Sequence, residues 1–333
     1  MKKTALLIAL VLTLTLLCSC AHESTTTLYV MDTFAEITLY GGDNDVMEKI
    51  ENTLFDMERE LSATNGKVFE LNENGGGSGT SSYIESLLFQ SEMYYEKTGG
   101  AFSPYLGALI ELWGVGSKNY VPTEDEMSAA LSVSKAENVE SNGKNFVELK
   151  DGVRLNFGAV AKGYATDVIK EILVEEEVKG AVISIGGNVY VHGAKPSGEL
   201  YRVAIRDPKG SENDWILALE LSDKFIISSG DYERYFEKDG VRYHHIFSPE
   251  TGKPCESDLL AICVIADDGV MADAYSTALY VMGRQGAIDF WRRNEGFELV
   301  LVGRDGTVTL TEGIGDNFII NEQKDYNYEV AKR

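Results

Sequence analysis

The chain has 333 residues, 44% hydrophobic and 25% charged, which suits one large globular domain or two smaller ones and disfavours disorder over most of the length. Its 53 acidic and 30 basic residues give a net charge of −23. Such a surface repels nucleic-acid phosphates, so nucleic acid is not an expected partner. An anionic nucleotide could bind only where local cations, a metal or helix N-termini offset the negative electrostatic field of the protein.

The N-terminus has the pattern of an export signal. Two lysines precede an apolar segment, residues 4–17, that is too short for an ordinary transmembrane helix. The segment runs into Leu-Cys-Ser-Cys, a lipobox-like sequence that ends at Cys20. We predict a lipoprotein signal peptide over residues 1–19, lipidation of Cys20 and a polar tether over residues 20–27. The expected location is the extracytoplasmic face of the cell membrane; a plain secretory peptide is the alternative.

In the first half of the chain, residues 28–39 alternate as in a strand. A helix is predicted over residues 45–61, because five apolar residues share one face: Val46, Ile50, Leu54, Met57 and Leu61. The Gly/Ser/Asn-rich residues 72–82 indicate a loop.

The next predicted helix covers residues 82–98, with Ser82 as its cap, and ends at two glycines. A helix over residues 122–132 has a capping box made by Thr123 and Glu126. Strands are expected over residues 146–149 and 153–157.

The second half mixes helices with strands linked as hairpins. Helices are predicted over residues 161–176, 271–282 and 287–294. Strands are predicted over residues 182–185, 189–192, 201–205, 216–221, 225–228, 259–266, 299–303 and 307–310. This order favours an α+β fold with mixed, largely antiparallel sheets over a doubly wound parallel sheet. Cys263 lies in an apolar strand, and export permits a disulfide with Cys255, but two unpaired packing cysteines are the preferred reading.

Residues 156–165 are a strand-to-helix connection rich in small residues, with Lys162 at the helix start and Asp167 just beyond. Small side chains let the backbone approach a ligand, and the N–H groups of a helix start favour anions. The segment is neither a P-loop nor a dinucleotide-binding fingerprint. A plain connection with an exposed lysine accounts for it equally well.

Asp273 and Thr277 are four residues apart, so a helix places both side-chain oxygens on one face. The pair is too small for a calcium cage but suits Mg²⁺, which takes further oxygens from water and substrate phosphates. Taken alone, the pair is better read as a helix cap at Asp273 with an incidental threonine.

His244 and His245 precede a Ser-Pro turn. Histidine is the usual proton acceptor for a hydroxyl nucleophile near neutral pH. A strand-end histidine bonded to the backbone is an equal alternative. In an extended segment the two rings point to opposite faces, so only one of them can face a site.

Together and in this order, these segments resemble the ApbE-type flavin transferase family over nearly the whole chain after the signal. The motifs that carry the resemblance are Met-Asp-Thr at 31–33, Thr-Gly-Gly-Ala-Phe at 98–102, Leu-Trp-Gly at 112–114, Ala-Lys-Gly-Tyr-Ala at 161–165, Gly-Gly-Asn at 186–188, Ser-Gly-Asp-Tyr at 229–232, His-Ile-x-x-Pro-x-Thr-Gly at 245–252 and Ala-Asp-x-x-x-Thr at 272–277.

The resemblance implies a T-fold-like architecture over residues 28–333 and an Mg²⁺-dependent transfer of FMN from FAD to a protein threonine or serine. Its implied FAD-binding residues are Met31, Ala101, Phe102, Ser103, Asn156, Lys162, His245 and Ile246. It implies His245 as the general base, and as Mg²⁺ ligands the carbonyl of Ala159 with the side chains of Asp273 and Thr277.

Two residues depart from the family pattern: Asn156 stands where an acidic residue is usual, and Ser103 where aspartate is common. The segment between residues 61 and 72 looks shortened. The expected partners are FAD, flavoprotein subunits of membrane electron-transfer complexes, and the membrane through the lipid anchor. An FAD pyrophosphatase and a flavin-binding lipoprotein without catalysis are the alternatives.

Overall fold

The computed structural model describes residues 23–41, 44–211 and 213–333. The signal peptide and Cys20 lie outside the described residues. Within those ranges, no helix is both long and apolar enough to cross a bilayer. The described helices are α1 (Asn44–Leu61), α2 (Lys67–Asn74), α3 (Ser82–Lys97), α4 (Gly107–Trp113), α5 (Glu124–Val133), α6 (Ala161–Glu175) and α7 (Gly269–Arg293), with two 3-10 turns at Ala136–Asn138 and Glu312–Ile314.

The described strands fall into one large sheet and three small ones. The strands are β1 (Glu23–Val30), β2 (Thr33–Tyr40), β3 (Gly76–Ser78), β4 (Val139–Ser141), β5 (Phe146–Leu149), β6 (Gly180–Ile185), β7 (Asn188–Gly193), β8 (Tyr201–Arg206), β9 (Trp215–Leu221), β10 (Lys224–Gly230), β11 (Tyr235–Lys238), β12 (Val241–His244), β13 (Leu259–Ala266), β14 (Phe297–Gly303), β15 (Thr307–Thr311), β16 (Phe318–Ile320) and β17 (Asn327–Ala331).

The large sheet has nine strands in the order β1-β2-β6-β7-β10-β13-β14-β15-β17. Every pairing in it is antiparallel except β15 with β17, which confirms the predicted α+β class with a largely antiparallel sheet. The small sheets are β3-β5-β4, β11-β12 and β16-β9-β8.

Two hydrophobic clusters cover the two faces of the large sheet. The main cluster packs α1, α3, α6 and α7 against one face, and the second cluster packs β8 and β9 against the other. Strand β13 lies between them: Ile262 and Val264 belong to the main cluster, whereas Cys263 and Ile265 belong to the second. Burial on both faces explains why this strand is a continuous apolar run.

Several predicted elements are confirmed. The stripe on α1 is buried as expected, and the Thr123/Glu126 capping box is formed. Cys255 and Cys263 are free and buried, so the packing reading is confirmed. The two C-terminal helices form α7, which is interrupted at Gly283 by a non-helical conformation (φ 73°, ψ 178°) that glycine tolerates.

Other predictions are wrong. Residues 28–39 form not one strand but most of a hairpin, β1 and β2, because Met31 and Asp32 make a two-residue turn. Residues 23–27 belong to β1, so this part of the predicted tether is wrong. Residues 72–82 include the end of α2 and all of β3, which pairs with β5.

Two further corrections concern local details. The cap of α3 is Ser81, whose side chain accepts from the N–H of Ile84, and not Ser82. Residues 153–157 form no strand but a single bridge between Arg154 and Leu106. The composition of that segment is strand-like because its apolar residues are buried in the main cluster.

Candidate active site

Helices α6 and α7 cross where Gly163 meets Gly269. A β-carbon on Gly163 would lie 2.2 Å from the carbonyl oxygen of Gly269, and one on Gly269 would lie 2.4 Å from that of Gly163. Neither backbone could come so close if a side chain intervened. The contact sets the first turn of α6 against the N-terminal part of α7, where Asp273 lies.

Asp273 is buried, with 4% of its surface exposed. Its Oδ2 accepts a hydrogen bond of 2.9 Å from the backbone N–H of Gly163, and the Lys162 ammonium lies 4.0 Å away. Burial raises the pKa of Asp273, while Lys162, Gly163 and Asn188 oppose the rise. The site therefore holds a carboxylate at the N-terminus of α6, beside one cation.

Asp273 is not the cap of its own helix, so that alternative is wrong. Helix α7 begins one turn earlier, and its N-cap is Asp268, whose side chain accepts from the N–H of Met271 at 2.6 Å. Asp167 accepts from the N–H groups of Gly269 and Val270, both at 2.9 Å. Burial raises the pKa of Asp167 to about 7. Asp167 thus anchors α7, which leaves Asp273 for another role.

The other proposed metal ligands lie on the same two elements. Thr277 follows Asp273 by one turn of α7, and Ala159 lies in the turn that leads into α6; both are half-buried. The Ser-Gly-Asp segment contacts α7 at the same point, because Ser229 shares a hydrogen bond of 2.8 Å with Ser276, the residue before Thr277. Within the described ranges, no three His, Cys, Asp or Glu side chains converge as a metal cage.

His245 continues the β11-β12 ladder by one rung. The carbonyl oxygen of Arg234 accepts from the backbone N–H of His245 at 3.1 Å and from its ring Nδ1 at 3.2 Å. Because a carbonyl can only accept, Nδ1 carries the hydrogen and Nε2 keeps its lone pair in the neutral ring. Burial lowers the pKa of His245 to about 4, and the charges of Arg234 and Lys162 act in the same direction. The ring is therefore neutral near pH 7, and the lone pair of Nε2 is available as an acceptor.

His244 has different surroundings. Its Nε2 donates to the carbonyl of Cys255 at 3.1 Å, and its Nδ1 accepts from the N–H of Ile246 at 3.3 Å. The side chain is buried and stacks edge-on against Tyr280. Both ring nitrogens of His244 bond to backbone groups. The alternative of a strand-end histidine bonded to the backbone therefore applies to His244, whereas His245 uses only its Nδ1 in this way.

The Met31-Asp32 turn is conformationally unusual. Both residues have positive φ, 55° and 57°, which costs a residue other than glycine roughly 1–2 kcal/mol. Two hydrogen bonds reach the turn from other segments: the N–H of Met31 donates to Glu58 at 2.9 Å, and the Arg234 guanidinium donates to the carbonyl of Asp32 at 3.4 Å. Met31 is thereby linked to the segment that carries His245.

The segments with Ser103 and Asn156 are also adjacent, because the N–H of Asn156 donates to the carbonyl of Pro104 at 2.9 Å. The Asn156 side chain accepts from the N–H of Gly158 and shapes the turn before α6. Ala101 and Ser103 are half-buried. The side chains of Phe102 and Ile246 belong to the main cluster, so these two residues can reach a ligand only through backbone atoms.

Two residues of this region, Glu233 and Arg234, were not predicted from the sequence. Desolvation by the surrounding protein raises the pKa of Glu233 to about 7 even though the residue is exposed, and the charges of Lys162 and Arg234 oppose that rise. Glu233 and Arg234 directly follow the Ser-Gly-Asp-Tyr motif, and this position in the sequence could have indicated that they belong to the site. Their closeness to Lys162 arises only from the packing of the β11-β12 hairpin.

The fold and this site define a class of protein. The family model described as "ApbE family" matches residues 31–301. A crystal structure of the ApbE protein of Thermotoga maritima superposes with a TM-score of 0.78 at 30% identity, covering 86% of this chain and 96% of that one. The flavinyl transferase ApbE of Pseudomonas stutzeri superposes with a TM-score of 0.78 at 26% identity, covering 89% and 97%.

The chain belongs to the ApbE family. A curated relative, the FAD:protein FMN transferase of Treponema pallidum, is 34% identical over 250 residues, which span 70% of this chain and 69% of that protein. A second, from Klebsiella pneumoniae, is 30% identical over 63% of this chain and 66% of its own length. The matched part is thus about two thirds of these relatives.

Proposed function

We propose that this protein is an FAD:protein FMN transferase, which moves FMN from FAD to a threonine or serine hydroxyl of a target flavoprotein. The observation that carries the proposal is the neutral His245, which uses Nδ1 for its bond to Arg234 and senses the charge of Lys162, itself 4.0 Å from Asp273. The names of the curated relatives support the same activity.

The residues of the α6-α7 crossing fit Mg²⁺. Asp273 offers a carboxylate, Thr277 a hydroxyl and Ala159 a carbonyl, which are the oxygen donors that Mg²⁺ prefers, and three protein ligands leave room for water and phosphate oxygens. When bound, Mg²⁺ would neutralise the pyrophosphate of FAD and polarise the reacting phosphorus. Lys162 would add a positive charge beside the same phosphates.

The reaction then needs a base and a nucleophile. Nε2 of His245 takes the proton of the target hydroxyl, and that oxygen attacks the phosphorus of the FMN half of FAD. The new P–O bond forms as the pyrophosphate P–O bond breaks, and AMP leaves. Met31, the 101–103 segment, Asn156 and Ile246 are proposed to line the flavin site.

We further propose a lipid anchor at Cys20, which would hold the enzyme on the extracytoplasmic face of the cell membrane. The targets would then be flavoprotein subunits of membrane electron-transfer complexes. The lipobox-like sequence supports this proposal.

The deciding experiment is incubation with FAD, Mg²⁺ and a candidate target, followed by in-gel flavin fluorescence and mass spectrometry of the target. Covalent FMN on a hydroxyl residue with one AMP released per transfer is the expected result. AMP and free FMN without labelled target would assign a pyrophosphatase. FAD binding without AMP release would assign a flavin-binding lipoprotein.

A further inference from the structure

Arg234 bonds to two segments of the candidate site, the one that carries His245 and the one that carries Met31. Its backbone carbonyl accepts from the N–H and from Nδ1 of His245, and its guanidinium donates to the carbonyl of Asp32. These contacts join the β11-β12 hairpin to the β1-β2 hairpin across 202 residues of sequence.

Elsewhere the two hairpins are held by different parts of the fold: β2 pairs with β6 in the large sheet, and the ring of His244 at the end of β12 bonds to the carbonyl of Cys255. The turn at residues 31–32 stores backbone strain, because its two residues are left-handed without being glycine. Glu58 of α1 accepts a hydrogen bond from one N–H of this turn, and Arg234 donates one to a carbonyl of the turn. On the other hairpin, β12 ends at His244, and the N–H of His245 extends the ladder by one bond to the Arg234 carbonyl.

We infer that Arg234 is a positioning residue: its side chain ties the segment carrying the base His245 to the turn carrying Met31. The inference rests on the proposed function, in which Met31 lines the flavin site and His245 takes the proton. A base must lie within hydrogen-bond reach of the proton it removes, so a link between these segments sets the reaction distance.

The test compares Arg234→Ala and Arg234→Lys with a matched control. Arg242→Ala removes the same side chain from the same hairpin, where it contacts Glu237 at 3.5 Å and the ring of Tyr235. Lysine keeps a positively charged donor on a flexible side chain. FAD affinity is measured by flavin fluorescence, and single-turnover FMN transfer is measured with saturating FAD and Mg²⁺.

We expect Arg234→Ala to bind FAD within threefold of wild type and to transfer FMN about tenfold more slowly, which corresponds to a rise of about 1.4 kcal/mol in the activation barrier. Arg234→Lys should recover most of that rate, and Arg242→Ala should match wild type. A loss confined to FAD affinity would overturn the inference and make Arg234 a binding residue. An unchanged rate in Arg234→Ala would overturn it as well.

A readout independent of activity is the tautomer of His245, observed by ¹⁵N NMR of the histidine side chains. The chain has four histidines, and the His245 signals are those lost in His245→Gln. We expect the Nδ1–H form in wild type. Arg234→Ala keeps the backbone carbonyl that accepts from Nδ1, so a mixture of tautomers in this variant would come from movement of the segment once its side-chain link to the turn is lost; an unchanged tautomer would count against the inference. If wild type itself transfers no FMN, the proposed function fails, and the tautomer still decides whether Arg234 positions the ring.

Discussion

The Oδ2 of Asp273 accepts a 2.9 Å hydrogen bond from the backbone N–H of Gly163, although 110 residues separate the two. This bond joins the Ala-Lys-Gly-Tyr-Ala motif of α6 to the Ala-Asp-x-x-x-Thr motif of α7. It places the carboxylate at a helix N-terminus, beside Lys162. The two motifs therefore form one site because two helices cross through paired glycines.

The first prediction concerns Asp273. Alanine at this position would leave the Gly163 N–H without its buried acceptor, which costs about 1–3 kcal/mol of folding stability. Asp273→Asn keeps an acceptor oxygen and removes only the charge, so it should stay folded and lose FMN transfer by about 10²-fold or more, through loss of a metal ligand. Transfer rates and thermal melts check this, with the exposed Asp267→Asn as control. Full activity in folded Asp273→Asn would rule out a metal role.

A second prediction tests the helix crossing. Gly163→Ala puts a β-carbon 2.2 Å from a backbone oxygen of Gly269, which can move only if α6 and α7 separate. We expect a loss of about 1–3 kcal/mol or more in the free energy of unfolding, with weaker transfer. Gly77→Ala is the matched control, because its nearest neighbour is a leucine side chain at 3.5 Å. Chemical denaturation measures both; equal stabilities would contradict the close contact.

Substitution of the two adjacent histidines should affect FMN transfer very differently. His245→Ala removes the ring with a free Nε2, so it should slow single-turnover transfer by about 10²–10⁴-fold while FAD still binds. His244→Ala should keep most of the rate and lower the melting temperature, because that ring is buried and bonded at both nitrogens. The reverse ranking would assign the base to His244. Small losses in both would point to a different base.

The pH dependence follows from the lowered pKa of His245, about 4. The neutral ring is the active form, so its contribution is complete well above pH 4 and is lost as the pH falls through about 4. Between pH 5.5 and 7.5 this group should cause no change in transfer rate. Single-turnover rates from pH 4.5 to 8, in wild type and His245→Gln, measure it. An acid limb near pH 6.5 that disappears in His245→Gln would show an ordinary histidine pKa instead.

The last prediction concerns the anchor. Cys20→Ala should leave the protein without lipid, and it should appear in the soluble fraction after cell lysis. Cys18→Ala serves as control, because the bulky Leu17 before it makes Cys18 the poorer acceptor. The measurement is cell fractionation with a high-salt wash, followed by detection of the protein in each fraction. If Cys20→Ala remained in the membrane pellet, the prediction of a lipobox at Cys20 would be refuted.

The sequence by itself determined the elements whose signals are local. The apolar stripe of α1 repeats with the helical period, and the Thr123/Glu126 box lies three residues apart in the chain. The spacing of Asp273 and Thr277 already put both on one turn of a helix. Where the signal was missing, the prediction failed: Met31-Asp32 contains no glycine or asparagine, so the hairpin turn was not predicted.

Only the tertiary structure decided which side chains act together. The pKa of Asp273 depends on burial under α6, and the tautomer of His245 depends on a carbonyl in the neighbouring strand. The Asp273–Thr277 pair taken alone favours Asp273 as the cap of α7, whereas in the structure Asp268 caps this helix and Asp167, from α6, accepts from its first N–H groups. Local periodicity specifies an element, whereas electric fields and hydrogen-bond partners come from elements distant in sequence, and folding alone brings those together.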